Sequence, residues 1–227
     1  MNFVELTVTV LLSNDIYFSN SGYIIGKNIN KSMLLSDRLK ELHPKKEYKN
    51  YVFNSFYPLE KEKTYKKDKL YIFKIRGLDK ELMKEMQECL KKLKSNDFNI
   101  ISVAENEVYQ EFIKDLYTVN PVIVTVDNKP WLQGDNLELF KNRLEDNLEK
   151  KYKSFFNKEI NIKDKFIKNI EFKNRMPMGF NYKGIKLLGN KVRIEIQDNE
   201  LAQDIAFLAM AIGLGEKNSV IGAGFCN

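Results

Sequence analysis

The chain has 227 residues, of which 43% are hydrophobic and 30% charged, and its formal net charge is +6. This length allows one large domain or two small ones, and the apolar fraction is sufficient for a folded core. Two cysteines and one histidine exclude a disulfide framework and a structural zinc site, which needs about four such ligands. The basic balance favours a polyanionic partner, although a solvated lysine-rich surface explains it equally well.

The N-terminal residues, "MNFVELTVTVLLSND", are typical of a strand, because Glu5, Thr7 and Thr9 alternate with apolar residues. They lack the basic segment that begins a signal peptide. No apolar run in the chain approaches the roughly 18 residues that a membrane span requires. We therefore expect a cytoplasmic protein that has no membrane partner.

The first half of the chain alternates between strand-like and helix-like patterns. They predict strand 3–11, helix 23–42, strand 51–57, a hairpin loop at 60–69, strand 70–77, a helix capped by Asp79, and strand 98–105. The order β-α-β-β-α-β is that of a ferredoxin-like unit, in which two helices cover one face of a four-stranded antiparallel sheet.

The second half repeats this order without repeating the sequence. Its patterns predict strand 119–126, helix 135–153, strands 167–174 and 190–197, helix 198–212, and a last strand at 219–225. The predicted fold class is therefore α+β, with two tandem ferredoxin-like (βαββαβ) domains and antiparallel sheets. We expect the domains to comprise residues 1–112 and 113–227.

Four of the eleven glycines lie in "IGLGEKNSVIGAGFCN", residues 212–227. They follow a helix and lead into a strand, which is the reverse of a Rossmann motif, and a Walker GK[ST] is absent. One interpretation is a turn that packs closely against the sheet. The other is a loop whose backbone N–H groups hold RNA phosphates. The candidate RNA-binding residues here are Gly213, Gly215, Lys217, Asn218, Ser219, Gly222 and Gly224.

The segment "GLGEKNSVIGAGF" resembles the C-terminal glycine-rich signature of the CRISPR-associated repeat-cleaving endoribonucleases, which belong to the repeat-associated mysterious protein superfamily. "NPVIVTV", 120–126, is similar to the strand that opens the second domain in that family. The resemblance covers essentially the whole chain. It implies two ferredoxin-like folds and cleavage of CRISPR repeat RNA, without a metal or other cofactor.

His43 is the only histidine, and Pro44 follows it at the end of the first predicted helix. A lone histidine is more often structural or exposed than catalytic. The resemblance implies that His43 is the general base or acid and that Lys49, six residues later, supports it. The family's catalytic tyrosine would fall on Asn28.

Because Asn28 replaces that tyrosine, the third catalytic role stays open. Tyr23 is the nearest tyrosine upstream and is our candidate, while Tyr48 and Tyr51 lie close in sequence. The implied reaction is attack by the RNA 2′-OH on the adjacent phosphorus. Its products are a 2′,3′-cyclic phosphate and a 5′-OH. A base whose pKa lies near 6.5 takes the proton, and a cation stabilises the phosphoryl oxygens.

Further basic residues are candidates for RNA binding. Lys27 and Lys31 share one face of the first helix, and residues 171–186 combine Arg175 and Lys183 with aromatic residues. An ordinary solvated surface is the alternative for each. Expected partners are CRISPR repeat RNA, as precursor and mature guide, with other effector subunits and a second copy of the chain left open. The alternative functions are a non-catalytic RNA-binding subunit and a small-molecule-binding regulatory protein.

Overall fold

The computed structural model describes residues 1–42 and 48–227. The first half contains six strands and three helices within these residues. They are β1 Asn2–Leu12, β2 Ile16–Tyr17, α1 Phe18–Met33, α2 Asp37–Leu42, β3 Tyr51–Phe53, β4 Thr64–Tyr65, β5 Leu70–Gly77, α3 Lys80–Lys92 and β6 Phe98–Tyr109.

The main sheet of this half has the strand order β3-β5-β1-β6, and every pairing is antiparallel. The four strands of this sheet follow one another in the chain as β1, β3, β5 and β6. The first lies between the third and the fourth in the sheet, which is the ferredoxin-like order. Val8 of β1 pairs with Phe73 and Val103 on its two sides. The buried face of the sheet packs on α1 and α3, through residues such as Ile25 and Leu90. The predicted fold class is confirmed for this half.

The predicted helix 23–42 is wrong at its start and in its middle. It begins at Phe18 and is interrupted between α1 and α2, where the hydroxyl of Ser36 accepts a hydrogen bond from the Leu39 N–H and so caps α2. The predicted strand 51–57 is also shorter, since β3 ends at Phe53 and Tyr57 forms only an isolated bridge. The predicted loop 60–69 contains β4, which pairs with β2.

The second half contains seven strands and three helices. They are β7 Asp115–Tyr117, β8 Thr125–Val126, β9 Lys129–Pro130, α4 Leu137–Phe156, β10 Ile167–Phe172, β11 Met178–Tyr182, β12 Ile185–Gly189, β13 Val192–Ile196, α5 Glu200–Ile212 and α6 Asn218–Ile221. The order β10-β13-β7 repeats the first three positions of the first sheet.

The predicted last strand, 219–225, is wrong for most of its length. Residues from Asn218 form α6, and only the final residues take the fourth strand position, where the Val119 N–H donates to the Phe225 carbonyl (2.8 Å). The predicted strand 119–126 is broken as well. Pro121 has no N–H to donate, and the side chain of Asn120 donates a hydrogen bond to the carbonyl of Gly222.

The two halves interlock through Arg76. Its guanidinium is buried, pairs with Glu5 (2.7 Å), and donates to the carbonyl of Cys226 (2.6 Å) and the side-chain oxygen of Asn227 (2.8 Å). It also stacks on Phe225, at 4.2 Å from the ring centroid. Each half has its own main core, but Phe3 and Leu78 of the first half pack into the core of the second. The division at residues 112 and 113 stays a prediction.

Candidate active site

A cleft of about 340 Å³ lies at the seam between the two halves. Five of the residues predicted from the sequence line it: Tyr23, Lys27, Lys49, Lys183 and Ser219. They come from α1, the segment before β3, the turn of the β11–β12 hairpin and α6. The fold therefore gathers four separate segments around one basic cleft.

One wall of the cleft is the tip of the β11–β12 hairpin docked on α1. The rings of Tyr23 and Tyr182 pack edge to face, with centroids 5.8 Å apart, and the Lys183 ammonium lies 5.6 Å from the Tyr182 centroid. Nearby, the Asn181 amide donates to Ser19 (3.0 Å). The hairpin belongs to the second half and α1 to the first, so these contacts fix the width of the cleft.

Lys49 lies half-buried at the opposite wall, and its ammonium donates a hydrogen bond to the carbonyl of Leu42. Leu42 is the residue directly before His43 in the sequence. His43 itself lies outside the described residues. Tyr51, beside Lys49, is buried and donates its hydroxyl to the carbonyl of Ser219 (3.3 Å). Burial raises the pKa of Tyr51 far above its usual value, so it remains a hydrogen-bond donor.

The basic residues of α1 have different surroundings. Lys27 lines the cleft and pairs with Asp97 (2.7 Å), whose carboxylate also accepts a bond from Asn28 (2.8 Å). Burial opposes ionisation of Asp97, but the bonds from Lys27 and Asn28 lower its pKa. Asn28 is buried against Asp97 and does not line the cleft. Lys31 donates to the carbonyl of Lys94 (2.7 Å), outside the cleft.

The glycine-rich segment forms a tight, buried loop that leads into α6. Gly213, Gly215, Gly222 and Gly224 are all buried with positive φ, and at Gly224 an added Cβ would lie 1.9 Å from the carbonyl oxygen of Leu214. Close packing is thus one reason for these glycines. Their contact with RNA stays a prediction.

The polar residues of this loop divide between interior and surface. Asn218 is buried, and its amide donates to the carbonyls of Leu214 and Ala223 (both 2.8 Å). Lys217 is exposed and Ser219 half-exposed. Lys217 lines a second cavity, also about 340 Å³, which shares Lys49 and Ser219 with the cleft. The two cavities therefore adjoin each other.

Lys151 of α4 organises this loop and was missed by the sequence analysis. Its buried ammonium donates to the carbonyls of Gly213 (2.7 Å) and Gly215 (2.9 Å) and to the side-chain oxygen of Asn218 (2.7 Å). All three of its protons are therefore used. Burial lowers the pKa of Lys151 to about 7. A signal existed, since Lys151 continues the apolar stripe of Leu144 and Leu148 at helical spacing.

A second unpredicted feature is the close approach of α6 to α1. Gly22 and Gly26 lie one turn apart on α1, and a Cβ at Gly26 would lie 2.1 Å from the carbonyl oxygen of Val220. Only glycine permits this contact between helices. The pair places Ser219 and Val220 beside Tyr23, and the spacing G-x-x-x-G in "SGYIIGK" was its sequence signal.

Arg175 is exposed in the segment before β11 and does not line the cleft. In residues 1–42 and 48–227, no group of three or more His, Cys, Asp or Glu side chains could hold a metal ion. None of the helices that the structure describes is both long and apolar enough to cross a bilayer.

The fold and the site define a protein of two tandem ferredoxin-like units with a glycine-rich loop before the C-terminal residues. The model of the family "CRISPR associated protein Cas6, C-terminal" matches residues 104–227, and the chain belongs to this family. A search of curated protein sequences found no match.

Solved structures extend the similarity to the whole chain. One described as CRISPR associated protein Cas6 has 19% identity and a TM-score of 0.73, and covers 99% of this chain and 98% of its own. A RAMP protein binding different RNA substrates has 17% identity and a TM-score of 0.72, covering 100% and 99%. A Cas6-related protein from Pyrococcus furiosus has 19% identity and a TM-score of 0.70, covering 99% and 97%. At these identities the likeness establishes the fold.

Proposed function

We propose that this Cas6-family chain is a metal-independent endoribonuclease that cleaves CRISPR repeat RNA, converting precursor into guide RNA. The observation that carries the proposal is the convergence of Tyr23, Lys27, Lys49, Lys183 and Ser219 on one cleft. The similar structure described as a RAMP protein binding different RNA substrates supports RNA as the ligand. In this proposal, domains 1–112 and 113–227 contribute His43 and the glycine-rich loop respectively, and RNA lies along their seam.

The reaction uses the nucleophile that RNA carries. His43 takes the proton from a 2′-OH, whose oxygen attacks the adjacent phosphorus in line. The P–O bond to the 5′-oxygen of the next nucleotide breaks, and that oxygen takes a proton from water. Lys49 stabilises the negative charge on the phosphoryl oxygens, and its ammonium bonds the carbonyl of Leu42, the residue before His43 in the sequence. Tyr23 hydrogen-bonds the same phosphate from the opposite wall. The products are a 2′,3′-cyclic phosphate and a 5′-OH.

The deciding experiment incubates repeat RNA from the host's own array with the protein in EDTA. A parallel substrate carries one 2′-deoxy nucleotide just upstream of the cut. Cleavage in EDTA that the deoxy sugar blocks is the expected result. Cleavage that requires added divalent ions would contradict the proposal. Tight binding without cleavage would instead identify a non-catalytic RNA-binding subunit.

His43→Ala tests the role of the base. We expect cleavage to fall by at least about 100-fold while RNA affinity stays nearly unchanged, because proton transfer contributes about 10² to 10⁴ in rate. Full activity of this variant would remove His43 from the mechanism. Lys49→Ala is the companion variant, and its single-turnover rate should fall in parallel.

A further inference from the structure

A third cavity lies on the same seam as the cleft, at the opposite end of the α1–hairpin contact. Its volume is about 170 Å³, roughly ten times what a single water requires. Phe18 and Ser19, at the start of α1, line it from the first half, and Gly179 and Phe180 of β11 line it from the second. The cavity is therefore an inter-domain site that none of the proposed catalytic residues occupies.

Aromatic side chains form the walls of this cavity. Phe56 and Tyr65 are buried, and their rings pack edge to face with centroids 5.3 Å apart, which makes this wall rigid. Phe180 is also buried, whereas Tyr57 stands at the rim with 65% of its surface exposed. A planar aromatic ligand entering this cavity could stack on the exposed ring of Tyr57 and would gain apolar contact with the buried rings.

The amides in the wall are already used within the protein. Asn54 accepts a bond from the Lys74 N–H (2.6 Å), and Asn120 donates to the carbonyl of Gly222 (2.7 Å). Most of the surface that the cavity presents to a ligand is apolar. The interior of the cavity is thus suited to a ring that binds through its faces.

The rim of the cavity carries positive charge. Lys191 lines it half-buried, and in the part of the chain that the structure describes no carboxylate forms an ion pair with its ammonium. Lys63 adds a second ammonium, which lies 5.8 Å from the centroid of the Phe18 ring. An apolar cavity that is lined by rings and bordered by cations is complementary to a nucleotide, whose base is planar and whose phosphate is anionic.

We propose that this cavity binds one unpaired base of the RNA, with the adjoining phosphate at Lys191. The inference rests on the proposed function, since it requires RNA in the cleft. Ser19 and Lys27 are eight residues apart on α1, which is about 12 Å of helix. A strand that leaves the cleft along α1 reaches the cavity within a few nucleotides. The cavity therefore binds the base of one single-stranded nucleotide near the cut.

The test uses repeat RNAs that carry the fluorescent base 2-aminopurine at one position at a time, together with a binding and cleavage assay. We expect one position near the cut to lose fluorescence on binding, because its base stacks on protein rings. Tyr57→Ala should restore that fluorescence and weaken binding on the order of tenfold. Lys191→Met should lower the slope of log affinity against log salt by about 0.7.

Matched controls are Tyr109→Ala, an equally exposed tyrosine on β6, and Lys84→Met on the exposed face of α3. Neither should change fluorescence or affinity. RNA that is bound and cleaved with no position responding to Tyr57→Ala would overturn this inference alone. Displacement of the stacked base by free nucleoside monophosphate, with the RNA still bound, would also overturn it, by assigning the cavity to free nucleotides. Absence of both binding and cleavage would overturn the proposed function as well.

Discussion

The ammonium nitrogen of Lys151 lies 2.7 Å from the side-chain oxygen of Asn218, and both residues are buried. This bond joins the long helix α4 to the first residue of α6. The same ammonium holds the carbonyls of Gly213 and Gly215. The turn that presents Lys217 and Ser219 to solvent is therefore fixed from behind by one cation.

Lys151→Met should destabilise the protein on the order of 2 kcal/mol, because three buried acceptors lose their donor. Chemical denaturation measures the change. Lys150→Met is the matched control, since Lys150 is the exposed neighbour on the same helix and its replacement should alter stability by less than about 0.5 kcal/mol. Equal stability of the two variants would show that the three hydrogen bonds do not hold the loop.

The stability that Lys151 provides should also depend on pH. Burial lowers its pKa to about 7 in the folded chain, against about 10.4 when unfolded. Between these values the unfolded state binds more protons, so this residue makes stability rise with pH. The unfolding free energy of the wild type, relative to Lys151→Met, should increase above pH 7 by at most about 1.4 kcal/mol per pH unit.

The carboxylate of Glu216 favours the charged form of the same ammonium. Denaturation of both proteins at several values between pH 7 and pH 10 tests the prediction. If the difference in unfolding free energy between the wild type and Lys151→Met stays constant over this range, the surrounding acceptors keep Lys151 charged.

Gly224→Ala should destabilise the protein by about 2–5 kcal/mol. The residue has φ +69°, and the new Cβ would meet the carbonyl oxygen of Leu214 at 1.9 Å. Gly184→Ala separates the backbone strain from the steric clash, since Gly184 also has positive φ but has open space around it. That control should lose only about 1–2 kcal/mol. A similar loss in both variants would assign the whole effect to backbone conformation.

Lys217→Ala should weaken RNA binding and lower its salt slope by about 0.7, as expected for the loss of one phosphate contact with a single strand. Affinity measured over a series of salt concentrations gives the slope. Lys84→Ala, on α3 and away from the cleft, should leave it unchanged. An unaltered slope in Lys217→Ala would leave the glycine-rich loop with a packing role only.

The local sequence pattern was sufficient to predict an element when one of its faces is buried. The strand predicted at 70–77 has the bounds of β5, and Asp79 caps α3 by accepting a bond from the Leu82 N–H (3.0 Å), as its position predicted. The ferredoxin-like strand order followed from these elements. The strand predicted at 219–225 is wrong because its first residues are helical and because Gly222 and Gly224 adopt positive φ, which interrupts an extended backbone.

The composition of the cleft could be predicted only in part. Tyr23 and Lys49 are predicted from the sequence, and both line the cleft. Lys151 was missed because a lysine on a helix is normally solvated, and its acceptors lie more than sixty residues away in sequence. The role of Asn28 could not be predicted either, since Asp97 approaches it from a different segment.

The position of Arg76 has a consequence for how the chain melts. Its guanidinium belongs to the first sheet, yet it bonds Cys226 and Asn227 and stacks on Phe225. Unfolding of either half breaks these bonds and the stacking on Phe225, so the half that remains folded loses the stability that they provide. The two halves should consequently lose structure in one cooperative thermal transition, and neither should persist as a native intermediate.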